Sequence, residues 1–352
     1  MMGERIKQAR MALGLSTHAL AERAGVSAQA ISKYERNMDT PSSSVLMRLS
    51  KALNVRIEYF FRDQTISLSA TSFRKHAALS CKEEKAILFS MKEWLERYLD
   101  IEDLFPQGYS FQLPLEIDTH VKRLEDVEGI AEELRASWDL GLDPIVNLME
   151  LLEDRGIKIY LVKAVKDFDA CTFTTDDGTP VIAIKDGLPG DRQRFNLAHE
   201  LAHNILQIDD DVDPEKACHR FAGAFLVPRA VAYRELGQKR SKLDDYELFL
   251  LKHKYGLSMQ AWIYRAKDLG IISETAATRL FRYFRSRGWH IKEPGKQLQA
   301  ETPERMERLV MRAFAEEMIS FSRAAELLDK PLLQFRQEVL LQKDESKADL
   351  LN

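Results

Sequence analysis

His199, Glu200 and His203 stand in the spacing H-E-x-x-H. On a helix, residues four apart share a face, so both imidazoles reach one metal ion and the carboxylate lies beside it, placed to take a proton from a water. That is the chemistry of metal-dependent hydrolysis. By accident the pattern arises in on the order of 1% of chains this long. Phe195, Leu197, Ala198, Leu201, Ala202, Ile205 and Leu206 put apolar residues around most of this helix, which predicts a buried element rather than a surface stripe. Two histidines and a glutamate buried together need compensation, and a metal supplies it.

Two histidines alone rarely hold zinc in an enzyme. Downstream, Asp213 is a good N-cap, Pro214 fits the first helical position, and Pro228 marks a stop. The helix between them is apolar at Ala217, Phe221, Ala224 and Phe225. Glu215 lies in its first turn and is the expected third ligand, although the helix dipole also favours an acid there. His219, one turn on, is expected either to orient Glu215 or to ligate itself. Cys218 reads as a small buried residue.

The stretch Arg194–His203, followed by Glu215, His219, Phe221, Ala222, Phe225, Leu226 and Pro228, resembles the ImmA/IrrE family of metallo-endopeptidases, whose members cleave repressor proteins. The resemblance implies His199, His203 and Glu215 as ligands of Zn2+ (or Mn2+) and Glu200 as general base, in an α+β zincin-like domain. Cys218 and His219 stand where the family usually has Ala-Asn or Ala-Asp.

A second chemistry lies at the other end. Residues 3–61 read as five short helices, with turns at Gly14, Gly25, Asn37 to Pro41 and Asn54. Ser16 to Arg36 gives a helix, a glycine turn and a second helix capped by Ser27. Leu20, Ala24, Val26 and Ile31 pack the pair together and leave Ala28, Gln29, Ser32 and Lys33 facing outward. This run resembles the Xre-type, lambda-repressor-like helix-turn-helix domain. That geometry implies a second helix in the major groove. Gln29 would read a base edge, Lys33 and Arg36 would meet phosphates or the groove margin, and Thr17 stands where a glutamine often contacts phosphate. A small bundle that docks a protein is the competing reading. Residues 1–61 carry nine lysines and arginines against five acids, a surplus of four, while the whole chain is at −4 and the remainder at about −8. DNA binding is therefore expected to be local to the N-terminal domain. A homodimer reading two half-sites is expected.

Four segments follow from these readings: 1–61 for DNA binding, 62–123 as a connector with a helix, 124–235 as the metallopeptidase domain, and a helical region over 236–352. The fold class is mainly α with a small antiparallel β-sheet. Residues 62–82 are polar and Ser/Thr-rich (Ser67, Ser69, Thr71, Ser72, Ser80), and Ile66–Ala70 alternates like a short strand. Glu83–Leu104 is strongly helical, whereas Phe105–Ile117 is irregular with Pro106, Gly108 and Pro114. Leu124–Leu140 and Pro144–Arg155 read as helices. Ile157–Val162, Cys171–Thr174 and Val181–Ile184 read as strands with a tight turn at Asp176-Asp177-Gly178. A sheet edge beside the H-E-x-x-H helix would either dock an extended peptide by strand addition or lie covered.

Helices at 244–255, 258–269 and 273–287 follow, the last with Arg279, Arg282 and Arg285 on it and Arg287 at its end. This cluster is either a second nucleic-acid surface or a solvated face. In residues 303–343, Met306, Leu309, Val310, Phe314, Met318 and Phe321 form either an oligomer seam or an ordinary core, and about the last eight residues are expected to be disordered. Three cysteines (Cys81, Cys171, Cys218) without C-x-x-C indicate no disulfide framework. No signal peptide or membrane-spanning run is present, which with the resemblance implies the bacterial cytoplasm.

The expected function is a DNA-binding transcriptional regulator with a zinc-dependent endopeptidase that cleaves a partner regulatory protein, or itself. The alternative is a repressor, or an antitoxin-like partner of a toxin-like protein encoded nearby, whose metal site is sensory or structural.

Overall fold

The computed structural model describes residues 1–62, 66–70, 80–105, 110–114, 116–163 and 168–339. Thr71, Ser72, Pro106, Gly108 and the extreme C-terminus lie outside them. The described residues fall into two compact units. One draws on Met1–Leu68, Ala78–Gly108 and Glu304–Asn352, the other on Ser69–Ala77 and Tyr109–Pro303. Compactness thus divides the C-terminal helical region at Pro303.

In the first unit, α1 (Met2–Ala12), α2 (Thr17–Ala24), α3 (Ala28–Glu35), α4 (Ser43–Leu53) and a 3-10 turn at Ile57–Phe61 are the five short helices of the N-terminal segment. Ser16, Ser27 and Ser42 cap three of them by accepting the N–H of the third helical residue. Gly25 ends α2 in the left-handed region at φ +62°. A Cβ on Gly3 would stand 2.2 Å from the Tyr34 carbonyl oxygen, so only glycine lets α1 approach α3 this closely. Ile6, Leu20, Ala24, Ile31, Leu49 and Phe60 fill the core. α5 (Cys81–Glu102) begins two residues earlier than Glu83, because Ser80 and Glu83 close a capping box.

The second unit contains β1 (Leu68–Ala70), β2 (His120–Val121), α6 (Asp126–Ser137), α7 (Leu148–Asp154), β3 (Lys158–Val162), β4 (Ala170–Thr175) and β5 (Pro180–Lys185). It continues with α8 (Gly190–Ile205), β6 (Gln207–Ile208), α9 (Pro214–Leu226), α10 (Arg229–Leu236), α11 (Asp245–Tyr255), α12 (Met259–Asp268) and α13 (Glu274–Ser286). The main sheet has the order β1-β4-β5-β3. β4 and β5 form an antiparallel hairpin with Thr172 opposite Ile182, whereas β3 runs parallel to β5 with Tyr160 opposite Ala183. The small sheet is therefore mixed where an antiparallel one was expected. An apolar alternation reports which face is buried but carries no strand direction. β2 and β6 add a two-residue parallel pair that has no signature in the sequence.

α8 packs across β4 and β5, and α9 packs on α8 and α6. The start of α8 lacks a side-chain cap, and a later segment replaces it. Gly190 N–H donates to the Leu298 carbonyl, and a Cβ there would stand 2.2 Å from the Gln299 carbonyl oxygen. Gln193 Nε2 donates to the Glu301 carbonyl, and Glu301 N–H returns a bond to Gln193 Oε1.

α14 (Arg305–Ala315), α15 (Phe321–Leu327) and a helical run at 332–339 return to the first unit. Met306, Val310, Ala313 and Phe335 bury themselves against Tyr98 and Ile101 of α5, so the apolar tail is a core. None of the described helices is long and apolar enough to cross a membrane.

Candidate metal centre

α8 presents His199 and His203 one turn apart, and the first turn of α9 brings Glu215 to them. Nε2 of His199 and Nε2 of His203 are 3.1 Å apart, and the Glu215 carboxylate lies 3.4 Å from the first and 3.8 Å from the second. One donor atom from each of the three lies within 4.8 Å of the others. Ligands at about 2.1 Å from a shared tetrahedral ion stand roughly 3.4 Å apart. The three residues expected as ligands therefore converge at ligating separations, and a two-histidine, one-carboxylate set suits zinc.

Glu200 lies beside them, 4% exposed, with Oε2 buried and without a hydrogen-bond partner. Burial, then the nearby Glu215 charge, pushes its carboxyl up to about 8, against a backbone N–H bond from Thr172. A buried carboxylate oxygen aimed at no protein donor fits a site that receives a cation and a water.

Behind the donors is a supporting layer that sequence reasoning did not resolve. Cys218 Sγ lies 3.6 Å from Nδ1 of His203. Ligation through Nε2 requires its lone pair, so the ring proton belongs on Nδ1, facing the sulfur. Burial, then the charges of Glu215 and Glu200, raises the Cys218 pKa and keeps the thiol neutral. The only signal for this role was the i, i+3 spacing from Glu215, which puts both residues on the α9 face toward α8. Asn204 Nδ2 donates to Thr172 Oγ1 (2.7 Å) and to the Glu200 carbonyl (2.8 Å), tying the helix to β4. His219 does not join the three converging donors. Its Nδ1 donates to the Glu215 carbonyl at 2.6 Å, and its ring packs 4.5 Å from that of His199.

Two buried charge clusters hold these helices. Lys252 of α11 pairs with Asp191 in the first turn of α8 (2.9 Å) and with Glu293 (2.8 Å). Arg265 of α12 grips Glu128 of α6 with two bonds at 2.6 and 2.7 Å, and Arg220 of α9 adds a third at 3.0 Å.

Residues 6–60 match the helix-turn-helix family model, and residues 152–267 match the IrrE N-terminal-like domain. The chain joins a helix-turn-helix domain to an IrrE N-terminal-like domain. It is 50% identical to an uncharacterized transcriptional regulator in the ATPase CF(0) region of Rhodospirillum rubrum, over 18% of this chain and 57% of that protein. It is 23% identical to the HTH-type transcriptional regulator PrpR of Mycobacterium tuberculosis, over 76% of this chain and 63% of that protein. A solved SinR protein/SinI protein complex is 31% identical over 30% of this chain and 96% of that one, with a TM-score of 0.19. The chain thus spans less than two thirds of either curated relative.

In the helix-turn-helix domain, Gln29 and Lys33 stand exposed on α3, with Ala28 and Ser32 half-buried beside them. Ser27 uses its hydroxyl on the Ala30 N–H, and Arg36 is exposed with Nε donating to the Ser32 carbonyl. Thr17 is half-buried at the start of α2. Arg10 pairs with Glu35 and fixes α3 against α1. In the other unit, Arg279, Arg282, Arg285 and Arg287 point outward while Ala276, Ala277 and Phe284 of α13 enter the core.

Proposed function

We propose that this chain is a transcriptional regulator that binds a double-stranded DNA operator through α3, and that its IrrE N-terminal-like domain is a zinc-dependent endopeptidase. Its target is a partner regulatory protein, encoded nearby, or the chain itself. The observation that carries the enzymatic reading is the convergence of His199, His203 and Glu215 with the unpartnered Oε2 of Glu200 beside them. Zn2+ is the ion that this donor set suits best, with Mn2+ second. A dication held there supplies Lewis acidity, lowering the pKa of a water and polarising a carbonyl.

Glu200 takes the proton of the attacking water and passes it to the departing amide nitrogen. Burial of Glu200 and its Thr172 bond fix that carboxylate in one orientation. Glu215 makes the donor set mono-anionic, and Cys218 holds the His203 ring in the tautomer that ligates. Gln29 reads a base edge, while Thr17, Ser27, Ala28, Ser32, Lys33 and Arg36 border the groove. A homodimer reading two half-sites in the bacterial cytoplasm completes the proposal.

Elemental analysis of purified protein tests it: about one zinc per chain is expected, lost in His203→Ala while operator binding remains. A native protein that neither carries nor takes up metal would refute the peptidase reading.

A further inference from the structure

β4 passes beside Glu200, whose backbone carbonyl shares the Asn204 amide with Thr172 Oγ1. Thr175 N–H bonds the Thr179 carbonyl, and Lys185 N–H bonds the Asp169 carbonyl. With β4 paired antiparallel to β5, residues 169, 171, 173 and 175 therefore turn their backbone groups toward β5, while Thr172 and Thr174 turn theirs outward. The two outward residues have different occupants. Thr172 N–H faces the Glu200 carboxylate closely enough to oppose the rise in its pKa. The Thr174 carbonyl accepts from Ser69 Oγ at 3.1 Å, because β1 lies against β4 on that side.

We propose that the outer edge of β4, from Thr174 to Thr172, is a docking edge for an extended peptide, and that β1 holds this edge as an intramolecular ligand. The inference rests on the endopeptidase reading and adds its substrate-binding mode and its restraint. An extended backbone bonding the Thr174 edge continues along β4 to Thr172, next to the carboxylate that would handle the proton. β1 has the features of a displaceable occupant. It is three residues long, Ser69 is exposed and Leu68 only half-buried, so little apolar area holds it.

The test is the full-length double variant Ser69→Pro/Ala70→Pro. Adjacent strand residues point their N–H groups in opposite directions, so one of the two prolines removes a donor facing β4 whichever way β1 runs. Two readouts need no turnover. Deuterium uptake over 170–175 should rise in the variant while uptake over 181–184 stays unchanged. A fluorescent synthetic peptide with the sequence of residues 64–74 should bind the variant about tenfold more tightly than the unmodified chain, the proportion expected if β1 occupies the edge about nine-tenths of the time. Unchanged uptake over 170–175, or equal peptide affinity for both proteins, overturns the proposal. If the double variant loses its fold, raising exchange in β5 as well, Ser69→Ala carries the test by removing only the contact to Thr174, with a smaller rise confined to 170–175. A peptide that binds the opened edge but is never cut in the presence of zinc would sink the peptidase reading and leave this one standing. A peptide cut equally fast by both proteins would do the reverse.

Discussion

The two candidate functional surfaces are built in opposite ways. The helix-turn-helix domain displays Gln29 and Lys33 in solvent on a helix whose only fully buried residue is Ile31. The metal centre sits between α8 and α9, where Glu200 and His199 are buried among apolar neighbours and the helices are fastened by buried charges. In the first region, function and stability are carried by different side chains. In the second they are carried by the same packing, so a substitution that moves a helix moves a ligand. This contrast predicts that changes at α3 alter DNA preference without altering the melting behaviour, whereas changes around α8 alter both.

The largest effect is expected at Glu200. Glu200→Gln should keep metal and operator binding and lower cleavage by about 10²–10⁴-fold, measured on a trapped substrate. Cleavage persisting in that variant would dismiss Glu200 as the proton carrier.

Next is Glu128, which joins α6 to α9 and α12. Truncating it leaves Arg265 and Arg220 without their shared carboxylate, and Glu128→Ala should cost about 3–5 kcal/mol in chemical denaturation. Its pH dependence follows from the same pairing. Burial pushes the Glu128 carboxyl up, and the bonds from Arg265 and then Arg220 outweigh burial, so the folded-state pKa lies below the ordinary value. The resulting stability is full above the unfolded-state pKa of about 4.3 and disappears as pH falls through the lower folded value. Glu128→Gln should therefore flatten the acid limb of the stability profile; an unaltered acid limb would show that another group governs it.

Cys218→Ala removes the atom behind Nδ1 of His203, and zinc affinity by chelator competition should fall about 10–100-fold. Unchanged affinity would reduce Cys218 to packing. The smallest effect on the molecule itself belongs to Gln29→Ala: unchanged thermal stability, with about 1–3 kcal/mol of discrimination lost at one operator position. An identical sequence preference would remove α3 from the groove.

Much of this was legible in the chain because it is local. H-E-x-x-H needs only helical periodicity to bring His199 and His203 together, and Ser16, Gly25 and Ser27 mark the turn between two helices within a dozen residues. Glu215 was legible for a similar reason, since Asp213 and Pro214 announce a helix start whose first turn must face something. His219 was harder. Its bond to the Glu215 carbonyl is local, one turn back within α9, but its packing on His199 depends on the crossing of α8 and α9, which no spacing encodes. The strands were legible as strands, but their directions were not, because period-two burial is the same for a parallel or an antiparallel neighbour.

The sequence by itself determined the chemistry available here: two imidazoles and a carboxylate on one helix, an acid at the start of the next, and a capped helix pair with polar residues facing outward. Tertiary structure alone decided which of those groups meet. It set Cys218 behind His203, turned Thr172 toward Glu200, closed the start of α8 with residues 298–301, and laid β1 along β4. Those choices depend on contacts between residues up to a hundred or more positions apart, where shape and burial, rather than any local pattern, select the partner.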